Sequence, residues 1–85
     1  MRWRVVVTGR AEKQLGRLPA QDEERLRSAI TAMTDDPFLG DVTKLGGEYN
    51  AWRRRIGAYR IMYKLLFVER SVFIYDIRRR TSTTY

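Results

Sequence analysis

Two stretches of the chain could carry chemistry. AWRRRIGAYRIMYKLL, residues 51–66, sets Arg53, Arg54, Arg55, Arg60 and Lys64 among aromatic and aliphatic side chains, and RRRTSTTY brings Arg78, Arg79, Arg80 and Tyr85 together at the C-terminus. Guanidinium groups grip phosphate oxygens two at a time and stabilise charge that builds on a phosphate during transfer. They do not exchange a proton, because arginine stays protonated in proteins. The phenol of Tyr85, with a reference pKa of about 10, could serve as base, acid or stacking platform; proton transfer would need neighbouring cations to lower that pKa.

Many other chemistries are excluded. The chain has no histidine and no cysteine, hence no His/Cys metal cluster, no nucleophile–histidine pair and no disulfide framework. It has neither a P-loop nor a G-x-G-x-x-G motif. Asp22, Glu23 and Glu24 fall in the first turn of a helical stretch, where acids complement the macrodipole, and they are given no catalytic role. The basic half holds no carboxylate cluster suited to Mg²⁺, so no metal or other cofactor is expected.

The charge is unevenly placed. Residues 1–50 carry eight basic and eight acidic side chains, whereas residues 51–85 carry nine basic ones against Glu69 and Asp76, which accounts for the whole net charge of +7. Fourteen of the 17 cations are arginine, the side chain suited to bidentate phosphate contact and base stacking. A neutral half beside a basic half points to a polyanionic partner. With 44% hydrophobic and 32% charged residues the chain has the composition of a folded globule rather than a disordered one. Eighty-five residues suffice for one modest core, so a single domain over 1–85 is expected. No apolar run approaches the roughly 20 residues that span a bilayer, and no signal-peptide segment stands out. The expected location is the cytoplasm, without a membrane partner.

Elements must position these side chains. RWRVVVT (2–8) is β-branched and aromatic and predicts a strand. Thr8 can cap a helix from about Gly9, with Ala11, Leu15 and Leu18 along one side. Pro19 separates it from a second helix in QDEERLRSAITAMT, whose stripe is Leu26, Ala29, Ile30 and Met33. Residues 35–50 contain Pro37 and three glycines and are expected to form a long loop. Three strands follow, over about 50–56, 59–67 and 71–78, joined by turns at Gly57-Ala58 and VERS. Alternation puts Arg53 and Arg55 on one face against Trp52, Arg54 and Ile56. It likewise puts Tyr59, Ile61, Tyr63 and Leu65 opposite Arg60, Met62, Lys64 and Leu66, with the tyrosines in the core. On the last strand Val72, Ile74 and Asp76 are expected opposite Phe73, Tyr75 and Ile77. Lys64 and Arg78 are read as solvated edge charges, and Arg54 suits packing or an ion pair with a partner. The fold class is α+β, in the order β-α-α-β-β-β, with a mainly antiparallel four-stranded sheet packed on a two-helix hairpin.

KLGG with an aromatic after it, then WRRRIGAYRIMY, then a strand ending in IRRRTSTTY, resembles the RelE/ParE superfamily of bacterial toxins. The likeness runs over nearly the whole chain, including the first strand and the LPA between the helices. It implies a partner antitoxin. In the RelE and YoeB branches it implies a ribosome-dependent endoribonuclease that cleaves mRNA in the A site; the ParE branch inhibits DNA gyrase instead. Carried over, the two basic residues of the strand before the hairpin fall on Arg53 and Arg55, and the central arginine falls on Arg60. The C-terminal arginine falls on Arg79, with Arg80 as the alternative, and the final tyrosine on Tyr85. These five, Arg53, Arg55, Arg60, Arg79 and Tyr85, are the expected catalytic set. Lys44, Arg54, Arg78 and Arg80 are expected to contact RNA. Arginine stands here where RelE has lysines, and the histidine of YoeB-like members is absent.

The expected function is therefore the toxin of a type II toxin–antitoxin pair, a metal-independent mRNA interferase acting with the ribosome, monomeric when free of its antitoxin. A ParE-like inhibitor of a protein target and a nucleic-acid-binding module without turnover are the two alternatives.

Overall fold

The computed structural model describes residues 2–47 and 49–79. A strand, β1 (Arg4–Val7), leads through α1 (Gly9–Gly16) and α2 (Ala20–Ala32) to four further strands, β2 (Asp41–Lys44), β3 (Ala51–Ile56), β4 (Tyr59–Leu66) and β5 (Ser71–Arg79). They form one sheet in the order β1-β5-β4-β3-β2, antiparallel throughout except where β1 runs parallel to β5.

Local chemistry accounts for the helices. The Thr8 hydroxyl accepts from the Ala11 N–H at 3.3 Å and starts α1. Pro19 occupies the N-cap of α2 with extended backbone. Ala11 and Leu15 of α1 and Leu26, Ala29 and Ile30 of α2 are buried, as their spacing predicts. They pack on the sheet face formed by Tyr59, Ile61, Tyr63 and Leu65 with Val72 and Ile74. Burying each large aliphatic side chain stabilises the fold by about 1.5–3 kcal/mol.

The sheet has five strands, not four. Asp41–Lys44 lies inside the stretch expected to be a loop, and its four residues hold one apolar side chain, too weak a period to mark a strand. It forms because β3 offers an unpaired edge and Val42 packs against the core beside it.

The preceding segment is tied down by Tyr63, whose hydroxyl donates to the Pro37 carbonyl at 2.7 Å. Burial pushes this phenol up to about 12, only partly opposed by the charge of Arg54. Tyr63→Phe should destabilise the protein by about 1–3 kcal/mol at neutral pH, since the buried carbonyl loses its donor. A raised folded pKa contributes stability that is complete below the unfolded value near 10 and fades as pH climbs toward about 12. Urea denaturation across that range should therefore show the wild-type advantage over the Phe variant shrinking. A difference that stays constant to pH 12 would contradict this assignment.

Candidate functional site

Strand pairing fixes neighbours on the sheet face turned away from the helices. Asp41 of β2, Arg55 of β3, Arg60 of β4 and Arg78 of β5 stand in register as one lateral row across four strands. Thr43, Arg53, Met62 and Asp76 form the adjacent row. Directly opposed residues in a sheet have Cβ atoms about 5 Å apart, so three guanidinium groups are held side by side and a fourth stands one row away.

Three of these cations, Arg53, Arg55 and Arg60, are incompletely satisfied among the described residues. Arg53 donates through Nη2 to the Thr43 hydroxyl at 3.3 Å, and Arg55 Nε stands 3.9 Å from Asp41 Oδ2. The Nε groups of Arg53, Arg55 and Arg60 are buried without a hydrogen-bond acceptor among the described residues. Buried donors without partners are uncommon and costly, and adjacent like charges repel. Both penalties are relieved by a bound anion. An extended sheet face of this kind fits a polyanionic strand rather than an enclosed small molecule.

Asp76 is 4% exposed, and it stands on this face. Burial pushes its carboxyl up, but hydrogen bonds from Gln14 and Arg78, with the charges of Arg10 and Arg78, prevail and hold it below the usual range. Arg78 Nε donates to Asp76 Oδ2 at 2.7 Å. The expected alternation on this strand is corrected here: Asp76 pairs with Met62, and Ile77 pairs with Ile61 and joins the core. The reason is a register shift in the β4–β5 ladder between Met62 and Tyr63. Lys64 remains on the outer side, its ammonium 5.8 Å from the centre of the Tyr75 ring.

The other sequence-derived candidates lie elsewhere. Lys44 pairs with Trp52 and stands 5.9 Å from the centre of its ring, on the helix-facing side. Arg54 faces the same way and lines a cleft beside α2 together with Ala29, Ala32 and Ile56. A Cβ at Gly40 would come within 3.0 Å of its guanidinium, so the segment before β2 closes over Arg54. Arg79 pairs with Tyr59 and lies 5.9 Å from that ring's centre. The Tyr59 hydroxyl donates to Asp22 at 2.9 Å, which raises its pKa. Asp22, read as a dipole partner, thus also anchors the end of β4 to α2. Arg80 and Tyr85 lie outside the described residues. The structure thus brings Arg53, Arg55, Arg60 and Arg78 together and places Lys44, Arg54 and Arg79 on the opposite face. Asp76 and Gln14 were not among the candidates; the only visible hint was Asp76 two residues before Arg78 on a strand.

No family model matches the chain. A curated relative, RelE1 of Methanocaldococcus jannaschii, is 29% identical over 83 residues, covering 94% of this chain and 92% of that protein. Among solved structures, the archaeal RelE–RelB complex of Pyrococcus horikoshii aligns with a TM-score of 0.86 at 25% identity, over 98% of this chain and 100% of the matched one. The isolated E. coli RelE toxin aligns with a TM-score of 0.81 at 18% identity, over 95% of this chain and 87% of that one, a likeness of fold.

Proposed function

The chain belongs to the RelE/ParE superfamily, and from that premise we propose that it is the toxin of a type II toxin–antitoxin pair and cleaves mRNA in the ribosomal A site. The observation that carries the nuclease reading is the row Arg55–Arg60–Arg78 with Arg53 beside it, in which the buried Nε groups of Arg53, Arg55 and Arg60 lack acceptors among the described residues. The related chain from P. horikoshii was solved with RelB; an antitoxin of that kind is the proposed partner here, alongside the ribosome and its mRNA. The whole chain acts as one domain, in the cytoplasm, and as a monomer when released. Among the described residues no helix is long and apolar enough to cross a membrane.

In this mechanism the ribose 2′-oxygen attacks the adjacent phosphorus as its proton leaves to a base. The P–O5′ bond breaks, the 5′-oxygen takes a proton, and the products are a 2′,3′-cyclic phosphate and a 5′-hydroxyl. The nucleophile belongs to the substrate, so alignment by the ribosome supplies much of the acceleration. The arginines stabilise the added charge on the nonbridging oxygens. Asp76 is engaged with Gln14, Arg10 and Arg78, so it is poorly suited to proton transfer. Tyr85 is the proposed proton-transfer group.

The test is to add purified protein to ribosomes translating a defined message and map new 5′ ends. The expected ends lie in A-site codons, carry 5′-hydroxyls, and therefore ligate only after kinase treatment. They should be absent from the same RNA without ribosomes. Ends bearing 5′-phosphate would refute 2′-OH attack. An unchanged message combined with inhibited gyrase supercoiling would replace the nuclease reading with the ParE-like one.

A further inference from the structure

The β4–β5 register decides which arginine reaches the row. Met62 pairs with Asp76 and Tyr63 with Ile74, so Tyr75 is the extra residue of a bulge. Side chains alternate along a strand, and one inserted residue exchanges the faces of those beyond it. Counted by twos from core residues Val72 and Ile74, Asp76 and Arg78 would face the helices, and Arg79 would share a face with Arg60. The bulge reverses this parity. Arg78 pairs with Arg60, while Arg79 pairs with Tyr59 and lies over its ring on the helix side.

The reversal is held from α1. β1 accompanies β5 only as far as Val7 opposite Ile74, and Thr8 N–H still donates to the Ile74 carbonyl at 3.0 Å. Beyond that point the Gln14 side chain takes over. Its Oε1 accepts from Ile77 N–H at 2.7 Å, and its Nε2 donates to Asp76 Oδ1 at 2.8 Å. Asp76 in turn accepts from Arg78 Nε at 2.7 Å, with Arg10 Nε 3.6 Å away from its other oxygen. Two guanidinium groups share one carboxylate, so the cluster keeps a net positive charge.

We infer that Arg78 is the phosphate-contacting guanidinium of β5, and that Asp76, held by Gln14, is the positioning residue that sets it beside Arg60. The assignment rests on reading this face as the RNA site, and it differs from the resemblance, which puts the role at Arg79 or Arg80. A guanidinium anchored through Nε before the substrate arrives loses less side-chain freedom on binding.

The wild-type protein supplies a test independent of cleavage. ¹⁵N-labelled protein is titrated at low salt with a 2′-O-methyl RNA trinucleotide, which cannot be cleaved, while guanidinium resonances are followed by NMR. Arg55, Arg60 and Arg78 are expected to shift together along one saturating curve while Arg79 stays. Movement of Arg79 with Arg60 and none at Arg78, or a flat titration at all four, overturns the inference. The positioning role is read from a cycle of Asp76→Asn and Arg78→Ala in single-turnover cleavage on ribosomes, below the melting range of every variant. Arg78→Ala should lose about 10²-fold or more; Asp76→Asn should cost about 10-fold alone and nothing further in the Arg78→Ala background. Equal losses from Asp76→Asn in both backgrounds would make Asp76 merely structural and remove its assigned role. If the wild type fails to cleave yet the NMR pattern is as expected, the nuclease reading fails and the Arg78 assignment stands.

Discussion

Arg60→Ala is expected to reduce single-turnover cleavage about 10²- to 10³-fold, or about 3–4 kcal/mol, the usual effect of deleting one donor that stabilises transition-state charge. The same substitution should leave the melting temperature unchanged or raise it. Arg60 is half-buried between Arg55 and Arg78, and its Nε has no acceptor among the described residues. Removing it relieves like-charge repulsion and an unpaired donor, and surrenders little packing. Loss of activity with retained or improved stability marks a residue kept for function at a cost to the fold. Arg60→Lys should recover part of the rate, because it restores charge but not the planar fork. Calorimetry beside cleavage kinetics decides the matter. If Arg60→Ala instead melts several degrees lower in proportion to its lost activity, the residue is structural and the row is not a phosphate site.

Removal of Tyr85 is expected to cost about 10²-fold in single-turnover cleavage, the scale of a general acid–base contribution, while ribosome binding and stability stay near wild type. A side chain without a task can be removed with little consequence, so the size of the loss is informative. Tyr85→Phe separates the possible tasks. Loss in Phe equal to that of the deletion would indicate proton transfer; retention in Phe with loss in Ala would indicate stacking on a base, worth about 1–3 kcal/mol. Undiminished cleavage after deletion would take Tyr85 out of the mechanism and leave the arginines as the protein's whole contribution.

Much of the fold was legible because it follows from short-range patterns. The stripes of α1 and α2, the Thr8 cap and the glycine turn at Gly57 each depend on residues a few positions apart. Alternation alone grouped Arg53 with Arg55 on β3 and set Arg60 opposite Tyr59, Ile61, Tyr63 and Leu65 on β4, and the structure agrees; that the three arginines share one sheet face came from the strand register. The basic half was visible as charge. β2 was not, since Asp41–Lys44 becomes a strand only when β3 supplies an edge for it. The parity of β5 was not legible either. Whether Arg78 or Arg79 lies beside Arg60 depends on a bulge at Tyr75, and a bulge leaves no mark in a pattern of apolar and polar residues. The backbone beyond the bulge is held by Gln14, whose side chain takes the Ile77 N–H from 63 residues away in the chain. Periodicity assigns faces within an unbroken strand. Which strands meet, where a ladder slips and which arginines end side by side depend on backbone donors and acceptors that find partners only once the helices and the sheet have packed.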